Sequence, residues 1–79
     1  MNTASVAIPL PFANPGEPVR VTGFAQGRDI EKRLAGMGLT PGCEIHLMQS
    51  DGGNLVVAVG NSRLALGHGL AQKILVTPV

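Results

Sequence analysis

Residues 27–42 read Gly27-Arg28-Asp29-Ile30-Glu31-Lys32-Arg33-Leu34-Ala35-Gly36-Met37-Gly38-Leu39-Thr40-Pro41-Gly42. Asp29 is a residue type that caps a helix, accepting from the free backbone N–H groups of a first turn. Ile30, Leu34 and Met37 fall at i, i+4 and i+7, a single apolar stripe on a helix face. Lys32 and Arg33 come late, where the helix dipole favours cations. Gly38 is placed to take the left-handed C′ conformation of a Schellman ending, which folds Leu39 back onto Leu34. Thr40-Pro41-Gly42-Cys43 then has type II turn chemistry: proline presets φ at the first central position and glycine accepts φ > 0 at the second. A helix of about seven residues does not persist in water, so this one must dock on a larger structure.

The chain on either side supplies that structure. Asn14-Pro15-Gly16-Glu17 repeats the type II turn chemistry. It launches a strand with Val19 and Val21 on one face and Arg20 and Thr22 on the other, ending near Gly23-Phe24. After the helix, a second strand runs from Glu44 to Gln49. The hairpin loop Asp51-Gly52-Gly53-Asn54 leads into Leu55 to Val59. Gly60-Asn61 turns into Arg63 to Leu66; Gly67-His68-Gly69 precedes a short turn at Leu70-Ala71, and Ile74 to Thr77 forms the last strand. Five short strands with one helix inserted after the first describe an all-β fold, a small SH3-like five-stranded barrel. Residues 14–79 form this domain. Residues 1–13 read as a flexible leader, because Pro9, Pro11 and Pro15 interrupt backbone pairing. The alternation of Val6, Ile8, Leu10 and Phe12 leaves open an extended strap lying along the barrel.

Composition removes several classes of function. The chain has 79 residues, one cysteine (Cys43) and a formal charge of +1. A globule of this size buries only about 60% of the surface its unfolded chain exposes, so a partner is a natural supplement to its stability. One thiol and no recognisable signal peptide predict a reducing compartment, the cytoplasm. No apolar run approaches the roughly 18 residues of a membrane span, so no direct membrane insertion is expected. The small net charge, with Phe12 and Phe24 as the only aromatics, argues against nucleic acid as a partner.

Chemistry-bearing residues are scattered. Cys43-x-x-His46 puts two metal-binding side chains on opposite faces of a strand, and nothing in the sequence brings His68 to them, so no metal site and no cofactor is expected. Asp29, Ser50, Asp51 and Ser62 form no nucleophile–base–orienter grouping, and Gly52-Gly53 lacks the Lys-Ser/Thr step of a phosphate loop. The chain therefore reads as a binding protein, not an enzyme.

The run Arg33-Leu34-Ala35-Gly36-Met37-Gly38-Leu39-Thr40-Pro41-Gly42 resembles the signature of the FeoA family, small cytoplasmic proteins of bacterial ferrous iron uptake. Pro15-Gly16, the apolar strand after Asn54, Arg63-Leu64-Ala65-Leu66 and Ala71 followed by Ile74-Leu75-Val76 extend the similarity over about residues 9–77. The structural motif would be Leu34, Gly38, Leu39, Pro41 and Gly42. Gly67 and Leu70 depart from the family, standing where many members carry a basic and an acidic residue. The resemblance implies an SH3-like barrel that binds and modulates FeoB, the membrane permease with a cytoplasmic G-protein domain. The same barrel resembles the C-terminal domain of iron-dependent repressors, so a regulatory or metal-sensing module is the alternative. The residues given include no DNA-binding helices, which favours the first reading.

A five-strand barrel needs one inward face per strand, yet apolar residues also occupy the outward parity: Met48, Val56, Ala58, Ala65 and Leu75. Met48, Val56 and Leu75 are the expected lining of a surface that meets FeoB or a second copy of the chain. Arg33, among the cations Arg20, Arg28, Lys32 and Arg33, is a candidate contact for an acidic partner. The competing expectation is that the strap, through Ile8, Leu10 and Phe12, covers the apolar surface.

Overall fold

Apolar and polar side chains alternate over residues 19–22 and 44–47, and strands form there; later strands form on the nearly continuous apolar runs of residues 55–59 and 74–76. The computed structural model describes residues 7–25, 28–51 and 53–79. Among them β1 is Ile8–Pro9, β2 Pro18–Phe24, β3 Glu44–Asp51, β4 Asn54–Val59, β5 Ser62–Gly67 and β6 Ile74–Pro78. Helix α1 spans Arg28–Ala35, the one-turn helix α2 spans His68–Ala71, and a 3-10 turn covers Leu10–Phe12. The strands pair antiparallel in the order β1-β6-β2-β3-β4-β5. Helix α2 touches β4, β5 and the 3-10 turn that follows β1, so it bridges the seam between the two edges of the sheet. The result is the expected SH3-like barrel, with one strand more than the sequence pattern predicts.

Every strand of β2–β6 sends side chains to a single core. Val19 and Val21, Ile45 and Leu47, Leu55 and Val57, Leu66, and Ile74 and Val76 are buried together. Leu34 of α1 and Leu39 after it are fully buried in the same cluster. Each such side chain contributes about 1.5–3 kcal/mol relative to exposure, which is how an eight-residue helix is held.

The helix ending is a Schellman motif. Leu39 N–H donates to the Leu34 carbonyl at 2.9 Å, Gly38 N–H to that of Ala35 at 3.0 Å, and Gly38 has φ +90°. The next turn closes with Cys43 N–H on the Thr40 carbonyl at 3.1 Å, Gly42 lying at φ +95°. Gly42 N–H donates to the Val21 carbonyl at 2.7 Å, fastening this turn to β2. Two details of the expected helix are corrected. Asp29 is inside the helix and not before it, contributing with Glu31 to a negatively charged first turn; Gly27 lies outside the described residues. Met37 lies beyond the helix and is 37% exposed, because the Schellman bonds close the helix before the stripe reaches it.

The expected division between a flexible leader and a domain starting at residue 14 is also corrected. Ile8 pairs with Val76 and Pro9 with Leu75, Leu10 is fully buried, and Ala13 is buried with its N–H on the Leu10 carbonyl at 2.9 Å. Proline is compatible with β1 because this strand is at the sheet edge, where a missing donor on the open side costs nothing. Residues 1–6 of the expected leader lie outside the described residues.

Two strands carry an extra residue. Leu47 pairs with Val57 but Gln49 pairs with Val56, so Met48 is unmatched and β3 bulges there. In β2 the register shifts between Val21 and Gly23, and Thr22 at the bulge donates its hydroxyl to the Leu75 carbonyl at 3.2 Å.

Candidate interaction surface

The outward face of β3, β4 and β5 holds the first feature of interest. His46 is opposite Ala58, and Ala58 is opposite Arg63, so the three form one row across three strands. Side chains of adjacent paired residues share a face. Ala58 is the short member, and a groove of about 290 Å³ opens above it, lined by His46, Met48, Ala58, Gly60, Asn61, Ser62 and Arg63. The bulge brings Met48 into this lining with 39% of its surface exposed. Arg63 Nε donates to the Met48 thioether at 3.1 Å.

Val56, the second expected contact, is half-buried on β4 between Gln49 and Ala65, one strand from Met48. Leu75 does not join them. It lies on β6 between Pro9 and Gly23, with β2 and β3 separating β6 from β4. The strap therefore runs beside Leu75 and not over Met48. Arg33 is exposed on α1, as are Arg28 and Lys32, while exposed Arg20 stands on β2 opposite Glu44 and Thr77.

A second groove, of about 380 Å³, is lined by Pro9, Pro11, Phe12, His68 and Gln72. Phe12 is 72% exposed here, and the Gln72 amide and His68 Nδ1 approach to 3.2 Å. The sequence pattern treats Phe12 as part of a covering strap. The 3-10 turn breaks the alternation, burying Leu10 and turning Phe12 outward.

Among the described residues, the titratable side chains do not converge. Cys43 packs against the core from the turn before β3, His46 faces the first groove and His68 the second. Among the described residues no three of His, Cys, Asp and Glu could share an ion. The motif residues are architectural: Leu34 and Leu39 are core, while Gly38, Pro41 and Gly42 shape the path from α1 to β3. No helix among the described residues is long and apolar enough to cross a membrane.

The model of the FeoA domain matches residues 8–78, from β1 to the end of β6. The chain belongs to the FeoA family. A relative from Methanocaldococcus jannaschii named "Putative Fe(2+) transport protein A" is 35% identical over 68 residues, covering 86% of this chain and 83% of its own. A crystal structure of the iron uptake regulatory protein FeoA superposes with a TM-score of 0.84 at 32% identity, covering 94% of this chain and 100% of that one. The solution structure of iron(II) transport protein A from Clostridium thermocellum gives 0.82 at 31% identity, over 91% of this chain and 46% of that chain. A manganese-dependent transcriptional repressor shares the fold, with a TM-score of 0.84 at 20% identity over 99% of this chain and 44% of its own. The FeoA match begins at Ile8, in agreement with the strand pairing that places β1 inside the domain.

Proposed function

We propose that this FeoA-family barrel is an accessory protein of ferrous iron uptake, binding the FeoB membrane permease from the cytoplasmic side and modulating it without catalysis. The observation that carries the reading is the family match over residues 8–78. Its relatives' names attach to Fe(2+) transport and iron uptake regulation. A protein-binding role suits a barrel whose buried core is almost wholly apolar and whose titratable groups are dispersed. Met48 and Val56, on neighbouring strands, are the proposed centre of the partner surface. Leu75 belongs to a separate edge beside β1, and Arg33 is the proposed cationic contact on α1. The fold shared with a metal-dependent repressor supports the alternative of a regulatory or metal-sensing module. A pull-down from membrane extract with the tagged chain, with and without guanine nucleotide, separates the two. Recovery of the permease supports accessory binding, and its absence in both nucleotide states removes it.

A further inference from the structure

Among the described residues that line it, the groove over Ala58 has one permanent cation and no acidic side chain. Among the described residues, the only hydrogen-bond partner of the Arg63 side chain is the Met48 thioether, a weak acceptor for so strong a donor. That contact uses Nε and sets the guanidinium beside the bulge. The two terminal nitrogens remain, presenting parallel N–H groups in the fork that matches the two oxygens of a carboxylate. Across the row, His46 stands two strands from Arg63, roughly 9–10 Å at ordinary strand spacing. Ala58 between them supplies a floor only one methyl high. Asn61 and Ser62 add polar groups at the closed end of the β4–β5 hairpin.

We propose that this notch binds a carboxylate side chain presented by an acidic segment of a partner protein. The proposal rests on the reading of the chain as a protein-binding module. Three features select the occupant. A groove of about 290 Å³, at the bottom of the roughly 300–1,000 Å³ range of small-molecule pockets, has room for one inserted side chain. A single guanidinium matches a monoanion better than a phosphate dianion, whose sites gather several cations. The apolar flank from Met48 and Ala58 suits the methylene stem of a glutamate as its head reaches Arg63. The bulge at Met48 thus has a function: it turns a side chain into the groove that anchors the arginine.

The test uses the full chain, a Gly-Glu-Gly peptide acetylated at its N-terminus and amidated at its C-terminus so that the side chain is its only carboxylate, the Gly-Gln-Gly counterpart blocked in the same way, and inorganic phosphate, followed by amide chemical shifts at constant ionic strength. The glutamate peptide is expected to give saturable millimolar-range shifts centred on Ala58, Ser62 and Arg63, at least tenfold tighter than the glutamine peptide or phosphate. Ala58→Leu, which fills the notch, and Arg63→Gln should each abolish saturation, while Ala58→Ser retains it. Equal binding of both peptides, tighter binding of phosphate, or saturation surviving in a folded Ala58→Leu protein overturns the assignment. If Ala58→Leu does not fold, Arg63→Gln and Ala58→Ser decide alone. Peptide binding without permease binding defeats the proposed function and keeps the notch; the converse defeats the notch alone.

Discussion

Gly38 links α1 to the barrel, and replacing it separates backbone strain from crowding. A Cβ built on Gly38 meets Val59 Cγ1 at 3.8 Å, ordinary contact, so an alanine methyl has room. The cost of Gly38→Ala must then come from φ +90°, where an L side chain presses on its own backbone. About 1–2 kcal/mol is expected for one residue held in the left-handed region. Gly38→Val adds β-branching against Val59, bringing the loss to about 2–3 kcal/mol. In a domain of this size each kcal/mol moves the melting temperature by about 4–8 °C, so alanine should lower the midpoint by about 4–16 °C and valine by more. Gly36 is the control. Its N–H makes a helical bond to the Lys32 carbonyl at 3.1 Å, and an added Cβ lies 3.4 Å from the nearest atom, the Arg33 carbonyl oxygen. Gly36→Ala should therefore leave stability unchanged or raise it by up to about 1 kcal/mol. Calorimetric or circular-dichroism melts of the four proteins decide the matter. An unchanged midpoint in Gly38→Val, or equal losses in the two alanine variants, refutes the Schellman argument.

Leu10→Ala should cost about 2–5 kcal/mol in urea unfolding, because it leaves a cavity in the core; a cost below 1 kcal/mol would return residues 8–13 to the role of a leader. Met48→Asp should fold with wild-type far-UV circular dichroism yet lose permease capture, since Met48 is partly exposed on a bulge. Val56→Asp should lose capture as well, with a melting point lowered because the side chain is half-buried. If both variants fold and still capture the permease, the surface lies elsewhere. Anaerobic calorimetry with ferrous iron should show no tight stoichiometric binding, as Cys43, His46 and His68 face different surroundings. Micromolar binding lost in His46→Ala contradicts that placement.

What could be read from the sequence was local chemistry. The Pro-Gly turns at 15–16 and 41–42, the Schellman glycine, the alternation in β2 and early β3 and the apolar runs of β4 and β6 depend on neighbours in the chain, and each lies where its residue types demand. The misjudged features depend on distant partners. Prolines near Pro9 argue against a strand until β6 is known to pair on one side only. The bulge at Met48 has no local marker, because the extra residue is defined only by the register with Val56 and Val57. Leu75 shares the outward parity of Val56, but strand order sets them on different parts of the sheet. The groove over Ala58 was hidden for the same reason: His46, Ala58 and Arg63 become a row only through two long-range registers. A small residue at outward parity in a strand otherwise rich in Val and Leu was the available signal.

The most direct measurement of the central claim is equilibrium binding of the immobilised chain to purified full-length FeoB in detergent, with guanine nucleotide present or absent. Saturable binding in at least one nucleotide state, weakened at least tenfold by Met48→Asp, is the predicted result. Binding no stronger than that of the SH3-like domain of a metal-dependent repressor, in every nucleotide state, would contradict it.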